Sequence, residues 1–245
     1  MKVLLLLFIS LLPVAILLFV IYKLDKFQKE PIKSLIKAFL GGAIIALIFT
    51  FILSVIIEAI YPSENQSIWF HTTIMVGFVE ELSKFLVFMI FIWRDKNFDE
   101  YFDGIVYASF IGLGFACSEN IGYVLSDGLG TGISRAMTAV PGHCLDGVIL
   151  GFFLSLAKFR KKRRVLYILI GLTIVIFISH GLWDLICTSH LSGIISFLYF
   201  NALYAVMLIA SMKFIRQHWI NSKSQADLAA TNNQKTTDDI NPVNS

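Results

Sequence analysis

Residues 3–22, VLLLLFISLLPVAILLFVIY, run for 20 positions without a charged side chain. A bilayer core about 30 Å thick is crossed by about 20 apolar helical residues, so this stretch alone reads as a membrane-spanning helix. It is too long for the apolar region of a secretory signal and has no small-residue cleavage site before Lys23, so it is read as retained. Six further stretches of similar length follow: Leu35–Ile60, Thr73–Ile92, Gly104–Val124, Ala136–Leu156, Val165–Ile186 and Ile194–Ile215. The expectation is an all-α, polytopic transmembrane helix bundle of about seven helices. Composition agrees: 57% of the 245 residues are hydrophobic and 15% charged, with mean hydropathy +0.76, where soluble domains are about 45 to 50% apolar. Residues 1–215 are assigned to the membrane domain. Residues 216–245, rich in Asn, Thr, Ser and Asp, bury too little apolar surface to order themselves and are read as a polar tail.

Seventeen of the 20 basic residues fall in or at the edges of the connections that follow the first, third, fifth and seventh stretches, including the run Arg160–Arg164. Only Lys2 and Arg135 fall on the other side, and Lys84 lies within a span. The positive-inside rule then places the N-terminus outside and the C-terminus in the cytoplasm, in a multi-pass protein of the cell membrane. These bases sit where topology requires them, so no nucleic-acid partner is expected, and anionic lipid is a natural neighbour. The loop Ser126–Gly132 lacks the strand and helix that a phosphate-binding loop needs. Cys117, Cys144 and Cys187 lie in apolar stretches without metal or redox spacing, so no disulfide is expected.

What interrupts the apolar helices carries the functional information. The third span holds Glu80, Glu81 and Lys84, the fourth Glu119 and Asn120, the fifth His143 and Asp146, the sixth His180 and Asp184. Each charge at mid-membrane costs about 2.5 to 3.5 kcal/mol on insertion scales, so a purely structural protein would rarely carry this set. At about 1.5 Å per residue, Glu80 lies near the midplane, His143 about 4 to 5 Å outward of it, and Glu119 and His180 about 7 Å outward. One cavity open to the outside accounts for four helices placing polar groups at one depth. Faces agree. Ala139, His143, Gly147, Gly151 and Ser155 form a small-residue stripe, and Ala108, Gly112 and Ala116 form another that Glu119 continues, so both stripes should pack against neighbours. Glu80 and Glu81 precede Lys84 by four and three residues, the spacing of an intrahelical ion pair.

An intramembrane protease is the reading that uses all of these groups. Intramembrane carboxylates and histidines also build proton and ion pathways. A transporter, however, should show discontinuous helices in matching inverted halves, and none is visible. A non-catalytic scaffold leaves the clustering unexplained.

The ordered motifs Val79-Glu80-Glu81-Leu82-Ser83-Lys84, Asp103-Gly104-Ile105-Val106-Tyr107 leading into Gly112–Asn120, Pro141-Gly142-His143 and His180-Gly181-Leu182-Trp183-Asp184 resemble the PrsW family of intramembrane proteases. Asp25-Lys26 with Glu30-Pro31 is similar to that family's first cytoplasmic loop, so the resemblance spans about residues 20 to 185. The family is similar in turn to the CAAX prenyl endopeptidases and the bacteriocin-processing membrane proteases. The resemblance implies a site carried by Glu80, Glu119, His180 and Asp184. It also implies a membrane-anchored protein substrate, with first-site cleavage of an anti-sigma factor as the family association; a prenyl-protein endopeptidase is the enzymatic alternative.

Peptide hydrolysis needs a base to activate water, donors for the oxyanion and an acid for the leaving amine. Glu80 is the candidate base, and His180, held by Asp184, the candidate proton donor or oxyanion stabiliser, with Asn120 a further donor. Glu81, about 100° around the helix from Glu80, is expected to support Lys84 or the cavity wall. Glu119, His143 and His180 could instead supply three ligands to a divalent metal such as zinc. There is no H-E-x-x-H, and the residues leave the metal-bound and metal-free glutamate mechanisms both open.

Overall fold

Backbone groups in hydrocarbon must pair within their own segment, which for long apolar runs selects the helix. The computed structural model describes residues 2–25, 28–188, 198, 199 and 202, and every regular element among them is helical. The helices are α1 (Lys2–Leu24), α2 (Ile32–Ile60), α3 (residues 68–91), α4 (Tyr101–Asp127), α5 (Leu129–Met137), α6 (Ala139–Phe159) and α7 (Lys161–Thr188). Among the described residues, five stretches are long and apolar enough to cross a membrane: Val3–Leu24, Ile32–Ile60, Tyr101–Asp127, Leu129–Phe159 and Lys161–Thr188. By composition α3 falls outside this set, because Glu80, Glu81 and Lys84 sit together in it. The expected span Ile194–Ile215 and the tail 216–245 lie, but for residues 198, 199 and 202, outside the described residues.

One expectation is corrected. The glycines of residues 126–132 suggest a loop, but α4 runs on to Asp127, Gly128 turns with φ 89°, and Leu129 begins the short helix α5. That turn needs glycine, since a Cβ disfavours positive φ. Thr138 (φ −126°, ψ −75°) separates α5 from α6.

The centre of the bundle is α4, buried without interruption from Asp103 to Cys117. Its small residues allow this. A Cβ on Gly112 would lie 2.4 Å from the His143 carbonyl oxygen, and one on Gly151 would lie 2.2 Å from that of Gly104. The two stripes read from the sequence therefore meet each other, and α4 and α6 touch backbone to backbone. The contact fixes His143 opposite the Glu119 end of α4.

At the other end of the bundle the connections after α1, α3 and α6 meet. Lys37 pairs with Asp95, Gln28 Nε2 donates to Asp99 (3.2 Å), Lys158 Nζ donates to the Trp93 carbonyl (3.1 Å), and Arg164 lies over the Trp93 ring. A buried acidic knot ties the α1–α2 connection to α4. The Glu30 carboxyl accepts from the Tyr107 hydroxyl and bonds the Asp103 carboxyl, and the Glu30 amide donates to Asp25 Oδ2 (3.1 Å). Two carboxyls share a hydrogen bond only while one holds a proton. Burial pushes the Glu30 carboxyl up from 4.5 to about 7, against the opposing effect of the Tyr107 hydroxyl, and burial also raises Asp25. A raised folded-state pKa stabilises the closed connection fully below about 4.5, and that stabilisation is lost progressively as pH rises from about 4.5 to about 7. Hydrogen exchange, corrected for its intrinsic pH dependence, should show protection of the Glu30 amide falling by about tenfold per pH unit across this window. Glu30→Gln should flatten the profile, and a flat profile in the wild type would show that the Glu30 carboxyl is not raised by its burial.

Candidate functional site

Two stretches of wider, π-helical turn set the phase of the polar side chains. One, His71–Phe78, immediately precedes Val79 and Glu80; the other, Ile174–His180, ends at His180. They pack on each other through glycine: a Cβ on Gly77 would lie 3.2 Å from the Ile176 carbonyl oxygen and 3.3 Å from the Gly181 nitrogen. A π turn shifts every later side chain around the helix, and such turns concentrate at functional sites. Here the turns bring Glu80 and Glu81 of α3 to face His180 of α7.

The polar groups form one connected chain. Lys84 Nζ donates to Glu81 Oε1 (2.7 Å), lies 3.4 Å from Glu80 Oε2 and 3.0 Å from His143 Nδ1, and sits over the Phe115 ring at 4.2 Å. His143 Nε2 meets Glu119 Oε2 at 2.9 Å, and the same oxygen accepts from Arg135 Nη2 at 2.7 Å. His180 is ringed by carboxylates. Its Nδ1 lies 2.9 Å from Glu81 Oε1 and 3.6 Å from Asp146 Oδ2, and its Nε2 lies 3.3 Å from Asp184 Oδ2 and 3.8 Å from Glu80 Oε2. The Ser179 hydroxyl donates to Asp146. Each ring nitrogen of His180 therefore has a carboxylate partner, Glu81 on the Nδ1 side and Asp184 on the Nε2 side. Buried charge on this scale is tolerated because carboxylates and cationic or imidazole groups alternate along the chain within 4 Å of one another.

A cavity of about 370 Å³ opens beside this chain. Glu80, Glu119, His143, His180 and Asp184 all line it, together with Asp146 and Arg135, whereas Glu81 and Lys84 lie behind its wall. The lining also takes in His71 at the start of α3, Tyr123 near the end of α4 and Thr188 at the end of α7. The mouth is therefore at the end of the bundle opposite the Lys37–Asp95 contact.

Of the residues singled out from sequence, the structure thus brings Glu80, Glu81, Lys84, Glu119, His143, His180 and Asp184 together. Asn120 is the exception: its amide donates to the Ser10 carbonyl (2.9 Å), its oxygen accepts from Arg135 Nε (3.2 Å), and it does not line the cavity. Two groups gain weight. Asp146 follows His143 by three residues on α6 and so shares its face, a signal present in the sequence. Arg135, in the sequence only one of two outer basic residues, joins the site because α5 is a helix folded back beside Glu119.

The donor atoms that cluster most tightly also differ from the set expected for a metal. One ligand atom each from Glu80, Glu81, His143 and His180 lie within 4.8 Å of one another, all four residues buried. Glu119 is outside this group, its carboxylate shared between His143 and Arg135. Carboxylate and imidazole donors are of the type that zinc takes. Yet the Lys84 ammonium already holds Glu81 Oε1 and His143 Nδ1, two of the four donor groups.

Residues 30–212 match the family described as "PrsW family intramembrane metalloprotease". The chain is 36% identical over 201 residues to "Protease PrsW" of Oceanobacillus iheyensis (80% of this chain, 87% of that one). It is 35% identical over 173 residues to that of Geobacillus kaustophilus (70% and 75%), and 34% identical over 171 residues to that of Bacillus subtilis (69% and 76%). No solved structure matches.

Proposed function

The chain belongs to the PrsW family of intramembrane proteases, and we propose that it cuts a membrane-anchored protein substrate with Glu80 as base and His180 as its partner. The observation that carries this assignment is the division of labour between adjacent glutamates: Glu80 lines the cavity, while Glu81 is buried behind it, bonded to both Lys84 and His180. In the reaction, Glu80 takes a proton from water as the water oxygen bonds to the scissile carbonyl carbon. The His180 Nε2–H, on the side of the ring that faces the cavity-lining Glu80 and Asp184, stabilises the oxyanion, and the C–N bond breaks as the amine is protonated by Glu80 or His180. Asp184 and Glu81 hold the His180 ring from its two nitrogens. Glu80, Glu81, His143 and His180 are the residues that would hold a metal. With Lys84 bonded among them their arrangement does not fit one, and no step of the reaction passes through it.

A seven-helix topology with the N-terminus outside completes the reading. The meeting of three lysine- and arginine-bearing connections at one end, and the cavity mouth at the other, support that orientation. The scissile bond then lies at or just beyond the external end of the substrate's transmembrane segment, where its backbone can leave the helix near water. A membrane-anchored anti-sigma factor is the substrate to test first. The purified protein should cleave members of a panel of single-span membrane proteins, with new termini mapped by mass spectrometry to their external side. Cuts on the cytoplasmic side would overturn the orientation and favour a prenyl-protein endopeptidase, and no cleavage across the panel would favour ion transport.

A further inference from the structure

The cluster of Glu80, Glu81, His143 and His180 has the donor types, the burial and the proximity of a divalent-metal site. Its electrostatic need, a cation among converging carboxylates and imidazoles, is already met within the chain. The Lys84 side chain is 4% exposed and its ammonium has three neighbours, at 2.7 Å (Glu81 Oε1), 3.0 Å (His143 Nδ1) and 3.4 Å (Glu80 Oε2). An ammonium has three donors and no acceptor, so these contacts use its hydrogen-bonding capacity in full.

The histidine tautomer sharpens the point. Glu119 Oε2 also accepts from Arg135, so the Glu119 carboxylate is an acceptor and the 2.9 Å contact requires His143 Nε2 to carry the hydrogen. In the neutral ring Nδ1 then bears the lone pair, which faces Lys84 at 3.0 Å. A metal ion and an ammonium cannot both take that one pair. Glu81 Oε1 is likewise shared between Lys84 and His180 Nδ1. Both ring nitrogens of His180 are also engaged by carboxylates, Nδ1 by Glu81 Oε1 at 2.9 Å and Nε2 by Asp184 Oδ2 at 3.3 Å.

We propose that the Lys84 ammonium is the resident cation of this site and stands in the place a divalent metal would take, so that Lys84 and metal are mutually exclusive occupants. This rests on the protease reading only for its setting, and its test reads metal binding rather than cleavage. The full-length protein in detergent, freed of metal and titrated with cobalt(II), should show no ligand-field bands of a bound ion. Zinc analysis of the protein as purified should find no stoichiometric ion. Lys84→Met keeps the length and apolar stem of the side chain while removing the charge. It should bind one cobalt ion with the absorption of a four-coordinate N/O site, and His143→Ala in that background should abolish the bands. Saturable cobalt binding by the wild type with Lys84 in place overturns the proposal whether or not any variant folds. A folded Lys84→Met that binds no cobalt also overturns it, because the four donors would then not be a metal site that Lys84 fills. Either result leaves the assignment of Glu80 to be decided by substrate cleavage.

Discussion

Replacing Glu80 with glutamine is expected to lower the cleavage rate by about 10²- to 10⁴-fold, the contribution of a positioned general base, while the protein remains folded in the membrane. The geometry separates the two effects. Glu80 is the more distant partner of Lys84, at 3.4 Å against 2.7 Å for Glu81, so Glu80→Gln leaves the principal ion pair intact. The change also removes a carboxylate from mid-membrane, which lowers the insertion cost. Glu81→Gln is the informative contrast. It leaves Lys84 without its closest partner and His180 Nδ1 without its nearest carboxylate, and stripping one partner from a buried pair costs about 3 to 5 kcal/mol. Loss of cleavage in Glu81→Gln should therefore come with reduced protein level or melting temperature. A Glu80→Gln protein that cleaves at the wild-type rate would remove Glu80 from the chemistry.

That contrast between neighbouring glutamates is partly legible in the sequence. Helical phase separates positions 80 and 81 by about 100°, and the i, i+4 and i, i+3 spacings to Lys84 announce the ion pairs. Hydropathy locates α1, α2, α4 and α7 within a few residues, because an apolar run of bilayer length has few alternatives. The small-residue stripes foretell the α4–α6 contact for a similar reason: glycine and alanine repeating every fourth residue make one helix face that can approach another closely.

The cross-helix contacts are not legible there. The Glu81–His180 contact depends on the rotation of α3 against α7, and the wide turns His71–Phe78 and Ile174–His180 shift that rotation. Periodicity arguments assume 3.6 residues per turn and lose phase there. Arg135 is hidden for a different reason. The glycines at 128, 130 and 132 suggest a loop, and a loop gives no direction to its side chains; once Leu129–Met137 is a helix, Arg135 points back to Glu119 and over the Tyr123 ring. The metal-type cluster shifts from Glu119 to Glu80 and Glu81 by the same logic, since depth alone brings Glu119 and the histidines to one level while Arg135 engages its carboxylate.

His180→Ala is expected to lower the cleavage rate on the same scale as Glu80→Gln, and the reason lies in the number of carboxylates the ring serves. His180 meets Glu81, Asp146, Asp184 and Glu80 between 2.9 and 3.8 Å, so its removal takes the partner of four carboxylates and the Nε2–H donor from the cavity wall in one step. If His180 stabilises the oxyanion, the loss falls on the transition state. kcat should drop by about 10²- to 10³-fold, the cost of removing one oxyanion donor, with KM little changed, the signature of an interaction made only there. Asp184→Asn should give a smaller loss, because Glu81 still holds Nδ1 at 2.9 Å while the Nε2 side loses its 3.3 Å carboxylate contact. A purely structural histidine predicts another pattern. Protein level and melting temperature would fall together with activity, and whatever folded protein remained would turn over at the wild-type kcat. Single-turnover cleavage by monodisperse His180→Ala in detergent distinguishes the two, and a wild-type rate per folded molecule would take His180 out of the reaction.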